Sequence, residues 1–387
     1  MEAYLDNAAT TKVSTAVLEK MNQVYVTDFG NPSSMHKKGM EAEQYIKESK
    51  QKIAGILKCE PSEIIFTSGG TESNNMALIG TALANRRTGN HIITTRIEHA
   101  SVYEPLLFLE EMGFRVTFVP VDAEGRVDVD ALVEAVCDET ILVSVMYVNN
   151  EIGSIEPIAE IAKKIKEKKK DLLFHVDAIQ AFGKMKIQPA REGIDLLSVS
   201  GHKIHGPKGS GFLYVKNKTK IRPVLYGGGQ ERGMRSGTEN VPAIAGIGQA
   251  SADMYASLEK NRAHLFELKK ALAARFAVMP DVTVNAVPEE GIEATAPHVL
   301  SASFLGVRSE VLLHALEEKG VYVSAGSACS SNHPDISGTL VAIGVKKELL
   351  DSTLRFSFSV ETTREEVEYA ADCVEELLPR LRRFFRK

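Results

Sequence analysis

The chain has 387 residues, 44% of them apolar and 25% charged, and its 29 glycines and 14 prolines are too few for a low-complexity or collagen-like polymer. With 46 Lys and Arg against 51 Asp and Glu, the net charge of −5 leaves no cationic surplus to neutralise a phosphate backbone, so nucleic acid is not an expected direct partner. At about 150 residues per unit, the length suggests two to three compact units. No apolar run approaches the roughly 20 residues needed to cross a bilayer, and the N-terminus MEAYLDNAATT lacks the basic-then-apolar pattern of a signal peptide. A cytoplasmic protein without membrane attachment is therefore the expectation.

In chain order, the strand candidates are EIIFTS, HIITT, RVTFVPV, ILVSVMYV, LLFHVDA, LLSVS and GFLYV, all between Glu63 and Val215. Several are apolar at consecutive positions, as strands covered on both faces by helices require. Between them Thr71–Arg86, Ser101–Met112, Val129–Val136 and Ile158–Lys170 carry apolar residues at helical spacing. This predicts an α/β unit with a mostly parallel sheet. The run KKIKEKKK at Lys163–Lys170 reads as a solvated helix end. After GGGQERGMRSG at Gly227–Gly237, Ala243–Phe276 reads as one long helix. Strands near Val282–Asn285, HVLSASF, VYVSAG and LRFSFS, with helices at Glu310–Lys319 and Arg364–Phe385, predict a smaller α+β unit.

The chemistry is concentrated at strand ends. SGHKIHGPKG places Lys203 among small residues after a strand, where partial desolvation makes an amine nucleophilic toward a carbonyl; a structural turn is the alternative. Asp177 ends FHVDA, 26 residues earlier; a buried acid at a strand end commonly serves structure, but beside a reactive lysine its carboxylate would keep a pyridine nitrogen protonated. TSGGTESNN runs from a strand through glycines into a helix start near Thr71, an anion site of the kind that suits phosphate. His99 in IEHAS is either a helix cap or a proton shuttle stacked on a cofactor ring. Four cysteines stand far apart with no CxxC pair, so no metal site is expected. Cys59, Cys137 and Cys373 read as buried small residues, whereas Cys329 in SAGSACSSN reads as an accessible nucleophile on a flexible segment. Arg355 in LRFSFS is a candidate for two-pronged carboxylate binding, or an ordinary strand-end arginine.

Nine segments occur in an order and spacing that resemble those of the NifS/IscS-like cysteine desulfurases, of class V aminotransferase fold: YLDNAATT, SGGTESNN, EHAS, VNNEIG, HVDAIQ, SGHKIHGPKG, GGGQERGMRSGTEN, GSACSS and RFS. The resemblance covers nearly the whole chain. It implies a homodimeric fold-type I pyridoxal 5'-phosphate enzyme. Its cofactor-binding unit would span residues 15–255, and its smaller unit 1–14 with 256–387. It implies Lys203 as the Schiff-base lysine, Asp177 as the pyridinium partner, His99 as the stacking acid/base residue and Gln180 as donor to the cofactor's phenolic oxygen. Gly70, Thr71, Ser200 and His202 would hold the phosphate, Thr238 would reach the phosphate of the other protomer, and Asn150 would sit near cofactor and substrate. Arg355 would bind the carboxylate of L-cysteine and Cys329 would take its sulfur as a persulfide, releasing L-alanine. The sulfur would pass to an acceptor protein, an iron–sulfur scaffold or a tRNA-thiolation enzyme.

Three departures stand out. RFSFSV replaces the family's common RFSLGR, His205 stands where tyrosine is frequent and is expected to matter little, and SSNHPDISGTL after Cys329 does not match the usual acidic-proline continuation. The other readings are a selenocysteine lyase or aminotransferase of the same fold, for which a loop thiol is the discriminating feature, and a non-catalytic sulfur-transfer module, against which intact Lys203, Asp177, His99 and Cys329 argue.

Overall fold

The computed structural model describes residues 1–325 and 336–385. Seven strands form one sheet in the spatial order Ile64–Thr67, Gly211–Val215, Leu196–Ser200, Leu173–Asp177, Thr140–Met146, His91–Thr95 and Arg115–Val119. All seven expected strands are in it. Gly211–Val215 runs antiparallel to both neighbours, and every other pair is parallel. Alternate residues feed two cores, as pleating requires: Ile65, Ile92, Leu142, Leu196 and Leu213 pack on one face, Phe66, Val143, Phe174, Val199 and Phe212 on the other. Only the edge strand Arg115–Val119 is part-exposed along most of its length.

A second core surrounds an antiparallel sheet of Ser324–Ala325, Thr353–Ser357, Val299–Phe304 and Val282–Val284, covered by Leu258–Ala277, Ser309–Glu317 and Arg364–Phe385. Ala3–Tyr4 pairs in parallel with Val321–Tyr322, which brings the N-terminal segment to this core. From there residues 6–11 run back to the large sheet.

The single helix expected over Ala243–Phe276 is two. Val241–Ala256 and Leu258–Ala277 meet at Ser257, whose φ of −124° and ψ of 23° are non-helical. The break re-aims the chain: Ile244, Ile247 and Met254 pack into the large core, Leu265, Leu268 and Leu272 into the smaller one. Helices Thr15–Val26 and Lys37–Leu57 were not among the expected elements. Cys373 is buried, but Cys59 and Cys137 are only half-buried, and Arg115 reaches across to donate to the Cys137 sulfur at 3.2 Å. The lysine run is not simply solvated either. Lys166 pairs with buried Asp195 at 2.8 Å, and Lys168 and Lys169 donate to main-chain carbonyls.

His175 ties three central strands together, its ring nitrogens lying 2.8 Å from Ser144 Oγ and 3.0 Å from Ser198 Oγ. Complete burial pulls its pKa down to about 3, against about 6.5 in an unfolded chain. The unfolded chain therefore takes up this proton first, and stability present above about pH 6.5 is lost as pH falls toward 3. His175→Gln is expected to flatten the fall in melting temperature between pH 6.5 and 4 by the equivalent of up to about one proton. An unchanged slope would contradict this origin.

Candidate active site

Five strands of the large sheet deliver the candidate residues at one end, because their C-terminal ends share an edge: Thr67 precedes Gly70 and Thr71, Thr95 precedes His99, Met146 precedes Asn150, Asp177 closes its own strand, and Ser200 precedes His202 and Lys203. They line a cavity of about 280 Å³, joined by Gln180, by Arg355 from the smaller sheet, and by Ala8 and Ala9. Thr238 is exposed and does not line it. Cys329 lies outside the described residues.

Asp177 is 4% exposed. Its Oδ1 accepts from the backbone N–H of Ile179 at 2.9 Å and its Oδ2 from Asn74 Nδ2 at 2.8 Å. Burial still raises its pKa above the ordinary carboxylate value, against the pull of these bonds and of His99 and Lys203. A desolvated carboxylate that two neutral donors do not fully satisfy favours a cationic partner. Asn74 also donates to Ser101 Oγ at 2.9 Å, and that hydroxyl lies 2.9 Å from His99 Nδ1. His99 caps the helix Ala100–Glu111, its Nδ1 accepting from the Ser101 N–H at 3.0 Å. It is thus both the cap and a cavity residue. Burial lowers its pKa, opposed by Asp177 and assisted by Lys203 and Arg355, so the ring is neutral at neutral pH with Nδ1 as acceptor.

Lys203 follows Ser200 in a single 3-10 turn, and its amine donates to Ala8 O at 2.6 Å and Ala9 O at 2.7 Å. Gln180 Nε2 donates to the same Ala8 carbonyl at 2.9 Å, while its Oε1 lies 3.1 Å from His298 Nε2. Behind the site Lys184 is buried and donates to the Lys203 carbonyl at 2.9 Å; burial first, then the charge of Lys203, lowers its pKa to about 7. Burial and three neighbouring lysines likewise pull His202 down to about 4.

At the other end of the cavity the helix Gly70–Asn85 begins with its free N–H groups near Ser200 and His202. Gly70 allows close packing here: a Cβ would come within 2.2 Å of Ile179 Cδ1. Arg355 is 5% exposed and donates through Nη1 to Asn150 O at 3.0 Å and through Nη2 to Asp6 Oδ1 at 2.8 Å. The departure RFSFSV closes its own turn, Ser359 N–H donating to Thr362 Oγ1 and Glu361 N–H to Ser359 Oγ. His205 takes a left-handed φ of 62° and donates from Nδ1 to Lys12 O, which holds the N-terminal segment beside Lys203.

The family description that matches this chain is the class-V aminotransferases, over residues 3–370. The chain belongs to that family. Cysteine desulfurase IscS of Dictyoglomus turgidum is 44% identical over 382 residues, 98% of this chain and 95% of its own. A solved NifS-like protein superposes with a TM-score of 0.92 at 38% identity, covering 98% of this chain and all of the other. A structure described as SspA in complex with cysteine gives 0.80 at 33% identity over 93% of this chain and all of the other. These similarities place the chain with the NifS/IscS-like cysteine desulfurases. Class-V aminotransferases and cysteine desulfurases depend on pyridoxal phosphate. The donor set fits that group: a buried carboxylate suits a pyridinium nitrogen, a helix start with small side chains suits a phosphate, and a lysine amine lines the same cavity.

Sequence reasoning missed Ser101 and the Ala8 and Ala9 carbonyls at the cavity, and Asn74 behind it, which donates to Asp177 and Ser101. Asn74 lies one helical turn beyond Gly70, so spacing puts it on the same side of the helix as that cavity residue.

Proposed function

We infer that the chain is a cysteine desulfurase that binds pyridoxal 5'-phosphate in this cavity and removes sulfur from L-cysteine, leaving L-alanine and a Cys329 persulfide. The observation carrying this reading is that Lys203, Asp177, His99 and Arg355, brought from four separate stretches of chain, line one cavity. When bound, the cofactor supplies an aldehyde for imine chemistry and a protonated ring that accepts electrons from the substrate's Cα.

Lys203 supplies the amine for that aldehyde. Asp177 holds a proton at the ring nitrogen, and Asn74 keeps the Asp177 carboxylate aimed by donating to Oδ2. Neutral His99 would lie against the bound ring and would move protons through Nε2, its Nδ1 being committed to the Ser101 N–H. Gln180 donates to the phenolic oxygen. Thr71, Ser200 and His202, with the helix start at Gly70, bind the phosphate, and Arg355 binds the substrate carboxylate beside Asn150. The Cys329 thiolate attacks the substrate sulfur. The bond from sulfur to Cβ breaks with its electron pair passing to Cβ, which takes the proton of the substrate thiol to become the methyl group of alanine, and the new bond from sulfur to Cys329 leaves an anionic persulfide.

Thr238 serves the partner's phosphate in a homodimer. Its exposure supports this, as do the exposed apolar side chains Val26 (77%), Phe29 (70%), Met35 (97%) and Tyr226 (72%). Sedimentation is expected to give twice the chain mass, and a monomer would remove Thr238 from the site. No helix among the described residues is long and apolar enough to cross a membrane. The persulfide passes to an acceptor protein of the iron–sulfur-scaffold or tRNA-thiolation kind.

The test is incubation with L-cysteine, where L-alanine and thiol-releasable sulfide should appear in equal amounts. Asp177→Asn should cut that rate by about 10²–10⁴-fold. Yet it should leave the cofactor-free protein as stable as before or more so, because it removes a buried carboxylate whose pKa burial raises. Asn74 Oδ1, which has no partner among the described residues, can turn to accept from the new amide. Full activity in this variant would exclude the assigned role.

A further inference from the structure

We propose that Asp6 sets how tightly the cavity holds a substrate carboxylate, by occupying Arg355 with a carboxylate of the chain's own until substrate displaces it. This rests on the reading of Arg355 as the substrate's anchor.

A guanidinium offers two edges on which a carboxylate can make paired hydrogen bonds: Nη1 with Nη2, and Nε with Nη2. Both edges use Nη2, each through a different one of its two N–H groups, and Asp6 Oδ1 accepts from Nη2 at 2.8 Å. Nη1 is engaged by the Asn150 carbonyl, and Nε is buried without a hydrogen-bond partner among the described residues. An incoming carboxylate that pairs with Arg355 must therefore share Nη2 with Asp6 and sit beside that residue's negative charge.

The backbone around Asp6 is fixed. Asp6 bridges Ser357 in parallel, Asn7 Nδ2 donates to Ser357 O at 3.1 Å, and the Ala8 N–H donates to Ser357 Oγ at 2.8 Å. Displacement is thus a rotation of one side chain, and the Asp6 side chain, 21% exposed beside 6% for Arg355, has solvent to turn into. The arrangement does two things. It keeps a buried guanidinium paired when no substrate is bound, since an unpaired one is costly. It also makes every carboxylate ligand compete with an existing ion pair, so among carboxylates only molecules held at the amine as well bind tightly.

The experiment compares the holoenzyme with Asp6→Asn and Asp6→Ser, following L-cysteine KM and kcat and, without turnover, binding of L-alanine and of ethylamine by thermal shift. Both variants should lower the KM for L-cysteine and tighten L-alanine about tenfold, the effect of one charge-assisted hydrogen bond no longer competing, and leave ethylamine unchanged. Unchanged or weaker L-alanine binding in both, with Arg355→Gln abolishing it, would overturn the role of Asp6 and leave the reading of Arg355 standing. L-alanine binding that survives Arg355→Gln would overturn both. The unmodified holoenzyme gives a check independent of how the variants fold: saturating L-alanine should shift the carboxylate carbon resonance of Asp6 and ethylamine should not. A resonance indifferent to L-alanine contradicts the exchange.

Discussion

Lys203→Ala is expected to give a folded protein without the visible absorbance of a lysine-bound cofactor and with desulfuration reduced by more than about 10⁴-fold. The magnitude follows from position: Lys203 is the only lysine lining the cavity among the described residues. Lys184, the other buried amine nearby, faces away from the task, since it is bonded to the Lys203 carbonyl. Removing Lys203 also removes one of the two causes that depress Lys184, so that residue becomes harder to deprotonate. The fold should tolerate the change, because the bonds lost include those of the amine to the Ala8 and Ala9 carbonyls, and Ala8 O keeps Gln180 as donor. A yellow Lys203→Ala protein would mean that another lysine carries the cofactor.

Cys329→Ser is expected to retain the colour of the wild type and its response to L-cysteine but to lower alanine release by at least about 10²-fold. A serine hydroxyl at neutral pH lacks the anionic character that makes a thiolate attack sulfur. Chain length makes the assignment feasible. Ala325 ends a strand in which Ser324 is the register partner of Arg355, and four residues span at most about 14 Å. On the far side Ser337 and Thr339 donate to Glu151, the neighbour of Asn150. The residues flanking the Cys329 segment are thus fastened to the site itself. Alanine formed at the wild-type rate by the serine variant would remove Cys329 from the reaction.

The sheet was legible because consecutive apolar residues recur between helical stretches, a pattern that two-sided burial imposes on each strand independently. The break at Ser257 was not, since apolar spacing continues through it with no glycine or proline to mark it; what ends the helix is that its two halves serve different cores. The helix Lys37–Leu57 carries its signal openly in Ala42, Ile46, Ser49, Ile53 and Leu57, but lies among so many charges that its buried stripe is narrow. Within the site, residues with a chemical signature (a lysine at a strand end, an aspartate in an apolar strand) could be read from sequence. The Ala8 and Ala9 carbonyls could not, because a main-chain acceptor has no side chain to announce it. Asp6 and Asn74 act only through Arg355 and Asp177, hundreds and about a hundred residues away in sequence, so their roles appear only when the fold closes.

The most direct measurement is borohydride reduction of the purified, cofactor-loaded protein, followed by peptide mass spectrometry. Reduction makes the bond between lysine and cofactor permanent, so a pyridoxyl-phosphate mass should appear on the peptide containing Lys203 and on no other. An unlabelled Lys203 peptide, or a label on a different lysine, would contradict the site, the mechanism built on it and the function assigned to the cavity.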